Sequence, residues 1–345
     1  MRGIHSLSLT AGIAALTFAF GSSAFAADPS WLDKSLLDKA RANKETKIVV
    51  YASMNEREGH PLFKVFTDAT GIAVEYVRAS DTKLMARIGV EKRAGKEAWD
   101  VIQTTSLKKM PQEWLAKISP PLLKEIPEAA RDKDGRWIGV YANYNSPAYN
   151  TKLVKKADLP KTYEDFLKHP EWAGKVAIDF SDEEWLAAMY QHYGKAKGEK
   201  LVRDIVNLLK PKLTRGHLAM ARSLGAGEYA IALNNYTNLT SAVKMRGGAT
   251  DFWVLEPVAL FYGQVGVNPK ASAPNASLLA ANFLISKEGQ IAMAKGGRIP
   301  VRSDVASNPP DVLETFKGKK TISVILDPKE SKAWTKTYRR VMKSQ

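Results

Sequence analysis

Between Lys47 and Gln103 the hydrophobic period switches back and forth, and this constrains the fold more than any other feature of the chain. Lys47–Ala52 (KIVVYA) is a short apolar run of strand length. Over Pro61–Ala69 the apolar residues Leu62, Val65, Phe66 and Ala69 share one helical face, and Gly71 ends that segment. Ile72–Val77 is strand-like again. Ser80 and Asp81 then cap a helix carrying Leu84 and Ile88, and Trp99–Gln103 forms a third strand. The order β-α-β-α-β predicts a mostly parallel sheet with helices on its faces, an α/β fold.

The alternation resumes after a connector at 154–161. Thr162 caps a short helix, Lys175–Asp179 is a strand, and helices follow from Glu183, over Leu201–Leu209 and over His217–Ala226. Tyr229–Leu233 reads as a buried strand, Asn234-Asn235 as a polar corner, and Tyr236-Thr237-Asn238 as the opening of a helix. Phe252–Leu255 and Phe261–Val267 are predicted strands, and Asn275–Ser286 and Glu288–Lys295 helices. The tail holds a strand at Ile322–Leu326 and a basic terminal helix. Upstream, Trp137–Tyr141 and Ala148–Asn150 read as two extended pieces around a polar Asn143–Ser146 stretch, where the chain crosses into a second unit. The 345 residues fit two domains.

Residues 1–26 have the form of a secretory signal: a basic start at Arg2 and His5, an uncharged apolar run Leu7–Phe20, and a small-x-small end at Ala24-Phe25-Ala26. The mature chain is therefore expected in the periplasm. The chain has no cysteine, which excludes thiolate chemistry and disulfides. Its four later histidines (His60, His169, His192, His217) have no metal-ligand spacing. The net charge of +15 comes from Lys and Arg dispersed along the chain. Without a basic block, nucleic acid is not the expected partner. There is no GxSxG, P-loop, HExxH or dinucleotide glycine turn, so no enzyme is expected; a secreted hydrolase using Asp182-Glu183 remains a remote alternative.

Three segments resemble one family. They are Lys47–Gly71 (KIVVYASMNEREGHPLFKVFTDATG), Thr162–Phe180 (TYEDFLKHPEWAGKVAIDF) and Leu278–Val305 (LLAANFLISKEGQIAMAKGGRIPVRSDV). In this order they resemble the periplasmic solute-binding proteins of ABC importers, most closely the branch for ferric iron and small anions. The resemblance implies a type II two-lobed α/β fold hinged on two crossing strands. It also implies a small-molecule ligand clamped between the lobes, and a membrane permease as partner. The expected layout is a first lobe of 27–142 and 267–303, a second lobe of 143–266, and a tail of 304–345 packing on the lobes. A monomer without a cofactor is expected.

Ligands of open α/β sheets bind where strand ends meet helix N-termini. The candidate contacts are Ser53, Asn55, Glu56, Ser80, Thr82, Thr105, Ser106, Asp179, Asp182, Asn235, Tyr236 and Thr237. The same residue types cap helices, so each also has a purely structural reading. Arg222 is the candidate partner for an anion, with a solvated helix position as its alternative. Asp179, Asp182 and Glu183 suit an ammonium or hydroxyls, and together with Arg222 they point to a small organic or phosphorus-containing anion or a zwitterion. The alternative ligand is ferric iron or a ferric chelate. Iron-binding members of the branch carry paired tyrosines where this chain has Tyr236-Thr237, and often a histidine where it has Met54-Asn55. That leaves Glu56 and Tyr236 as ferric ligands, to be completed by a chelating anion.

Overall fold

The computed structural model describes residues 29–324, 326 and 328–343. The expected signal peptide, residues 1–26, lies outside them. The chain opens with α1 (Lys34–Ala42), β1 (Lys47–Ala52), α2 (Glu56–Thr70), β2 (Ala73–Arg78), α3 (Asp81–Ala94) and β3 (Val101–Thr104). β1 lies parallel to both β2 and β3. α2 ends at Gly71, whose left-handed φ of 75° suits a residue without a Cβ. The long strand β4 (Ile138–Asn150) leads to β5 (Val176–Asp179), α4 (Glu183–Tyr193), α5 (Lys195–Leu209), β6 (Lys212–Thr214), α6 (His217–Ala226), β7 (Ile231–Tyr236), α7 (Thr237–Met245) and β8 (Thr250–Phe252). A second long strand, β9 (Val258–Val267), returns the chain to α8 (Pro274–Ile285), α9 (Lys287–Lys295) and β10 (Ile299–Pro300). β11 (Thr321–Ser323) and α10 (Pro328–Met342) follow.

The strand order β2-β1-β3-β9-β4-β7-β5-β6 runs through the molecule. β4 and β9 are antiparallel from Ile138↔Val265 to Tyr144↔Leu260, and beyond Asn145 β4 pairs with β7 and β8 instead. β4 is therefore one strand and not the two pieces expected. Asn and Pro disfavour strands, but partners on both sides override that preference. A register shift between Ser146 and Ala148 accommodates Pro147. β7 likewise runs through Asn234-Asn235 to Tyr236, so the expected corner is ladder, and α7 starts at Thr237. β8 begins and ends earlier than the strand expected at Phe252–Leu255. β11 is shorter than the one expected at Ile322–Leu326, where Ile325 lies outside the described residues.

Among the described residues, the two largest of several apolar cores flank this spine. One gathers Trp31, Leu62, Phe66 and Phe283 with Ile138, Val140 and Val265; the other gathers Trp185, Ile205, Leu233 and Tyr338 with Tyr149, Ala259 and Phe261. β4 and β9 thus contribute to both cores, and the molecule is a two-lobed α/β protein joined by crossing strands. The tail helix α10 closes the second core. Its Tyr338, Val341 and Met342 are buried, Trp334 lies 5.2 Å from the Tyr190 ring, and the Tyr338 hydroxyl donates to the Asp179 carbonyl.

Candidate ligand-binding site

Residues opposite one another in adjacent strands project to the same face, and every second residue along a strand does so too. The pairs Gln103↔Val265, Tyr141↔Gly263, Asn143↔Phe261 and Asn145↔Tyr236 therefore place Gln103, Tyr141, Asn143, Asn145, Tyr236 and Asn234 on one face of the sheet where the lobes meet. Tyr141 lies over Gly263, where an added Cβ would stand 2.0 Å from the ring. The three strand asparagines and Gln103 are at most 1% exposed.

At the second-lobe end of this face, His217 opens α6 directly after Gly216, whose φ is 101°. Its ring stacks on Tyr236, with centroids 3.9 Å apart. His217 Nε2 is 3.0 Å from Asp182 Oδ1, while Asn234 Nδ2 donates to Asp182 Oδ2 at 2.7 Å. Among the described residues His217 Nδ1 is buried and makes no hydrogen bond of good geometry, although the Asn235 amide is near enough to the ring to help raise its pKa. Burial alone would lower the His217 pKa, but the charge and hydrogen bond of Asp182 outweigh it and raise it to about 9. For Asp182 burial prevails over the pull of His217, and its carboxyl is held above the usual range. Burial, then the carboxylates of Asp182, Glu184, Asp81 and Asp179, push Tyr236 well up, so it is a neutral phenol. Asp179, Asp182 and His217 offer ligand atoms within 4.8 Å of one another. Asp179, however, is engaged by the fold: it accepts from Ser181 N and Oγ, and from Gly216 N.

The first lobe contributes Asp81, which accepts from Thr104 Oγ1 and from Thr105 N and Oγ1. Its charge raises both Tyr141 and Tyr236, so it faces the same space. Asn55 Nδ2 donates to Glu58 Oε1 at 2.7 Å, and Glu58 pairs with the buried Arg298 at 2.6 Å, whose guanidinium lies over Tyr141. Across the gap, Lys109 in the turn after β3 lies 3.0 Å from Glu183 and 3.3 Å from Glu184 at the start of α4. Lys108 lies 3.2 Å from Glu184. These ion pairs join the lobes.

The structure brings Asp179, Asp182 and Tyr236 together, with Thr105 opposite through Asp81. Ser106 is buried at the turn leading to Lys108, and Ser53 N donates to the Gln103 carbonyl beside the face. Other candidates lie elsewhere. Arg222 is exposed, because α6 buries Met220, Ala221 and Leu224; it lines a surface depression with Arg246. Asn235 projects to the opposite face from Tyr236, and its amide serves Tyr236 N and Thr240. Thr237 is fully buried, donates to the Tyr144 carbonyl and shares a hydrogen bond with Ser146. Ser80 and Thr82 are exposed at the start of α3, and Glu56 is exposed at the start of α2, where Glu58 is the acid that enters the buried network. The sequence reading missed His217, Gln103, Asn143, Asn145 and Asn234. His217 does follow a strand end, but β6 is only three residues long and lies just after Pro211.

Residues 98–325, well over half the chain, match the family described as bacterial extracellular solute-binding protein. The chain belongs to this family. It is a solute-binding protein of an ABC importer, and its family is not one of enzymes. It is 26% identical over 290 residues to iron uptake protein A1 of Synechocystis sp., covering 77% of this chain and 78% of the relative. It is 28% identical over 193 residues to the Fe(3+)-binding periplasmic protein of Serratia marcescens, covering 54% and 56%. Among solved structures, iron-bound HitA from Pseudomonas aeruginosa superposes with a TM-score of 0.73 at 22% identity, covering 86% of this solute-binding protein and 99% of HitA. AfuA from Actinobacillus pleuropneumoniae, with exogenous fructose-6-phosphate, gives 0.73 at 20% identity, covering 86% and 98%. These two likenesses establish the fold.

Proposed function

We propose that this solute-binding protein works in the periplasm as a monomer, closing its lobes on a small organic anion or zwitterion and presenting it to the membrane permease. The proposed lobes are 27–142 with 267–303, and 143–266; the tail, 304–345, packs on the second through α10. The observation that carries the ligand reading is His217. Below about pH 9 it is an imidazolium. One N–H is held by Asp182, and the other, at Nδ1, is buried and meets no partner in good hydrogen-bond geometry among the described residues, with only the Asn235 amide nearby. That N–H is a charge-assisted donor for a carboxylate or phosphate oxygen, the role first expected of Arg222. Asp81, which already accepts three hydrogen bonds from Thr104 and Thr105, stands opposite, with its remaining acceptor capacity for an ammonium or hydroxyl group.

The names of the relatives support a second reading, a ferric ion or chelate. A neutral His217 Nδ1 and a Tyr236 phenolate would be the donors. Thr237, spent on the crossing strands, supplies no second phenol, so a chelating anion would have to complete the shell.

Calorimetry with carboxylates, phosphonates, amino acids and ferric nitrilotriacetate tests both. The organic reading expects binding by at least one metal-free solute, lost in His217→Gln and retained in Tyr236→Phe. Binding of ferric nitrilotriacetate alone, with a visible phenolate-to-iron absorption abolished in Tyr236→Phe, would refute it in favour of iron.

A further inference from the structure

Asn143 and Asn145 are 0% and 1% exposed, and neither the Oδ1 nor the Nδ2 of either residue has a hydrogen-bond partner among the described residues. The amide of Gln103 makes no hydrogen bond of good geometry either, though it lies near enough to the Tyr141 hydroxyl to lower that phenol's pKa, and Oδ1 of Asn234 is unpaired among the described residues. Buried amides are nearly always paired, and asparagine is a poor strand residue. Two of them at alternate positions of a central strand therefore serve neither ladder nor core. All four side chains lie on the face that carries Tyr236, next to the pair formed by His217 and Asp182.

The chemistry of the row differs from that of the charged end. Each amide offers two N–H donors and a carbonyl acceptor and carries no charge. A hydroxyl needs one donor and one acceptor, which a single amide supplies from adjacent atoms. Alternate residues of a strand are roughly 6.6 Å apart, which spaces Asn143 and Asn145 to meet different hydroxyls of one short carbon chain. A ferric ion favours anionic oxygens, and four neutral amides are poor ligands for it.

We propose that Gln103, Asn143, Asn145 and Asn234 form a subsite for the hydroxyl groups of a polyhydroxylated solute, with its charged group at His217. The inference rests on the organic-solute reading above and deepens it.

The test uses matched solutes: gluconate against hexanoate, glycerol 3-phosphate against propyl phosphate, and citrate against tricarballylate. Affinities are measured by calorimetry, and melting of the free protein by scanning fluorimetry. A site built to pair a hydroxyl rejects the analogue lacking it strongly. At least one hydroxylated member should bind about a hundredfold tighter than its partner. Asn143→Leu and Asn145→Leu should cut that preference to under about tenfold, while the free protein melts no lower than wild type. Asn143→Ala and Asn145→Ala replace them if leucine prevents folding. Equal affinity within every pair, binding of no pair, a preference that survives the substitutions, or a clear fall in melting of the free leucine variants would each overturn the subsite. The charged-solute reading is judged separately: it fails if His217→Gln leaves binding of the non-hydroxylated acids and amino acids unchanged.

Discussion

The pairing of His217 with Asp182 makes a prediction that can be worked through. An ordinary histidine titrates near 6.5, and this one is raised to about 9. A raised basic group stabilises the fold fully below its unfolded pKa, and the contribution is lost as pH rises through the folded one. The window is therefore pH 6.5 to 9. Each unit of displacement corresponds to about 1.4 kcal/mol, so the full displacement sets an upper bound of about 3 kcal/mol. The raised pKa of Asp182 shows that burial of this partner opposes part of that gain, so a loss of about 2 kcal/mol is expected. For a chain of this size that lowers the melting temperature by roughly 4 °C. Urea unfolding of wild type and His217→Gln at pH 6 and pH 9.5 isolates the effect, because other titrating groups cancel in the difference. Wild type should lose about 2 kcal/mol more than the variant. Parallel losses, or a wild type that gains stability over this window, would refute a protonated His217 held by Asp182.

Two further predictions concern the frame of the site. Lys109→Met leaves Glu183 and Glu184 enclosed with one ammonium between them. Since the Lys109 side chain is 20% exposed, the cost should fall at or below the low end for a broken buried pair, about 2–3 kcal/mol. Adding Glu183→Gln should recover at least half of it in urea melts, and no recovery would mean the two groups are not coupled. Gly263→Ala forces a methyl onto the Tyr141 ring, so a loss of about 1–3 kcal/mol by thermal melting is expected; a neutral outcome would show that the ring moves freely.

The elements were most legible where the apolar pattern runs unbroken between clear stop signals. β1 and α6 have the bounds that their sequence implies. The strands failed to read where they carry the proposed site. Asn143, Asn145 and Asn234 interrupt the apolar pattern, so β4 looked like two pieces and β7 ended early, although each runs as a single strand. Functional positions are where local pattern and fold are expected to disagree. The choice of Arg222 over His217 arose from the same helix. Charge suggested the arginine, whereas the helix start, fixed by Gly216, turns the histidine toward Tyr236. Asp81 with Thr105, and Lys109 with Glu183, depend on how distant segments meet, and no local pattern encodes that.

The crossing of β4 and β9 also bears on how quickly a solute is caught and released. If the lobes swing about these strands, groups on the strands themselves travel least. Asn143 and Asn145 would then meet an arriving solute in nearly the same place before and after closure, like a landing pad beneath moving walls. His217 and Asp81, mounted on opposite lobes, would come together only afterwards. Changes to the strand amides should therefore alter the rate of capture, and changes to the lobe-borne groups the residence time.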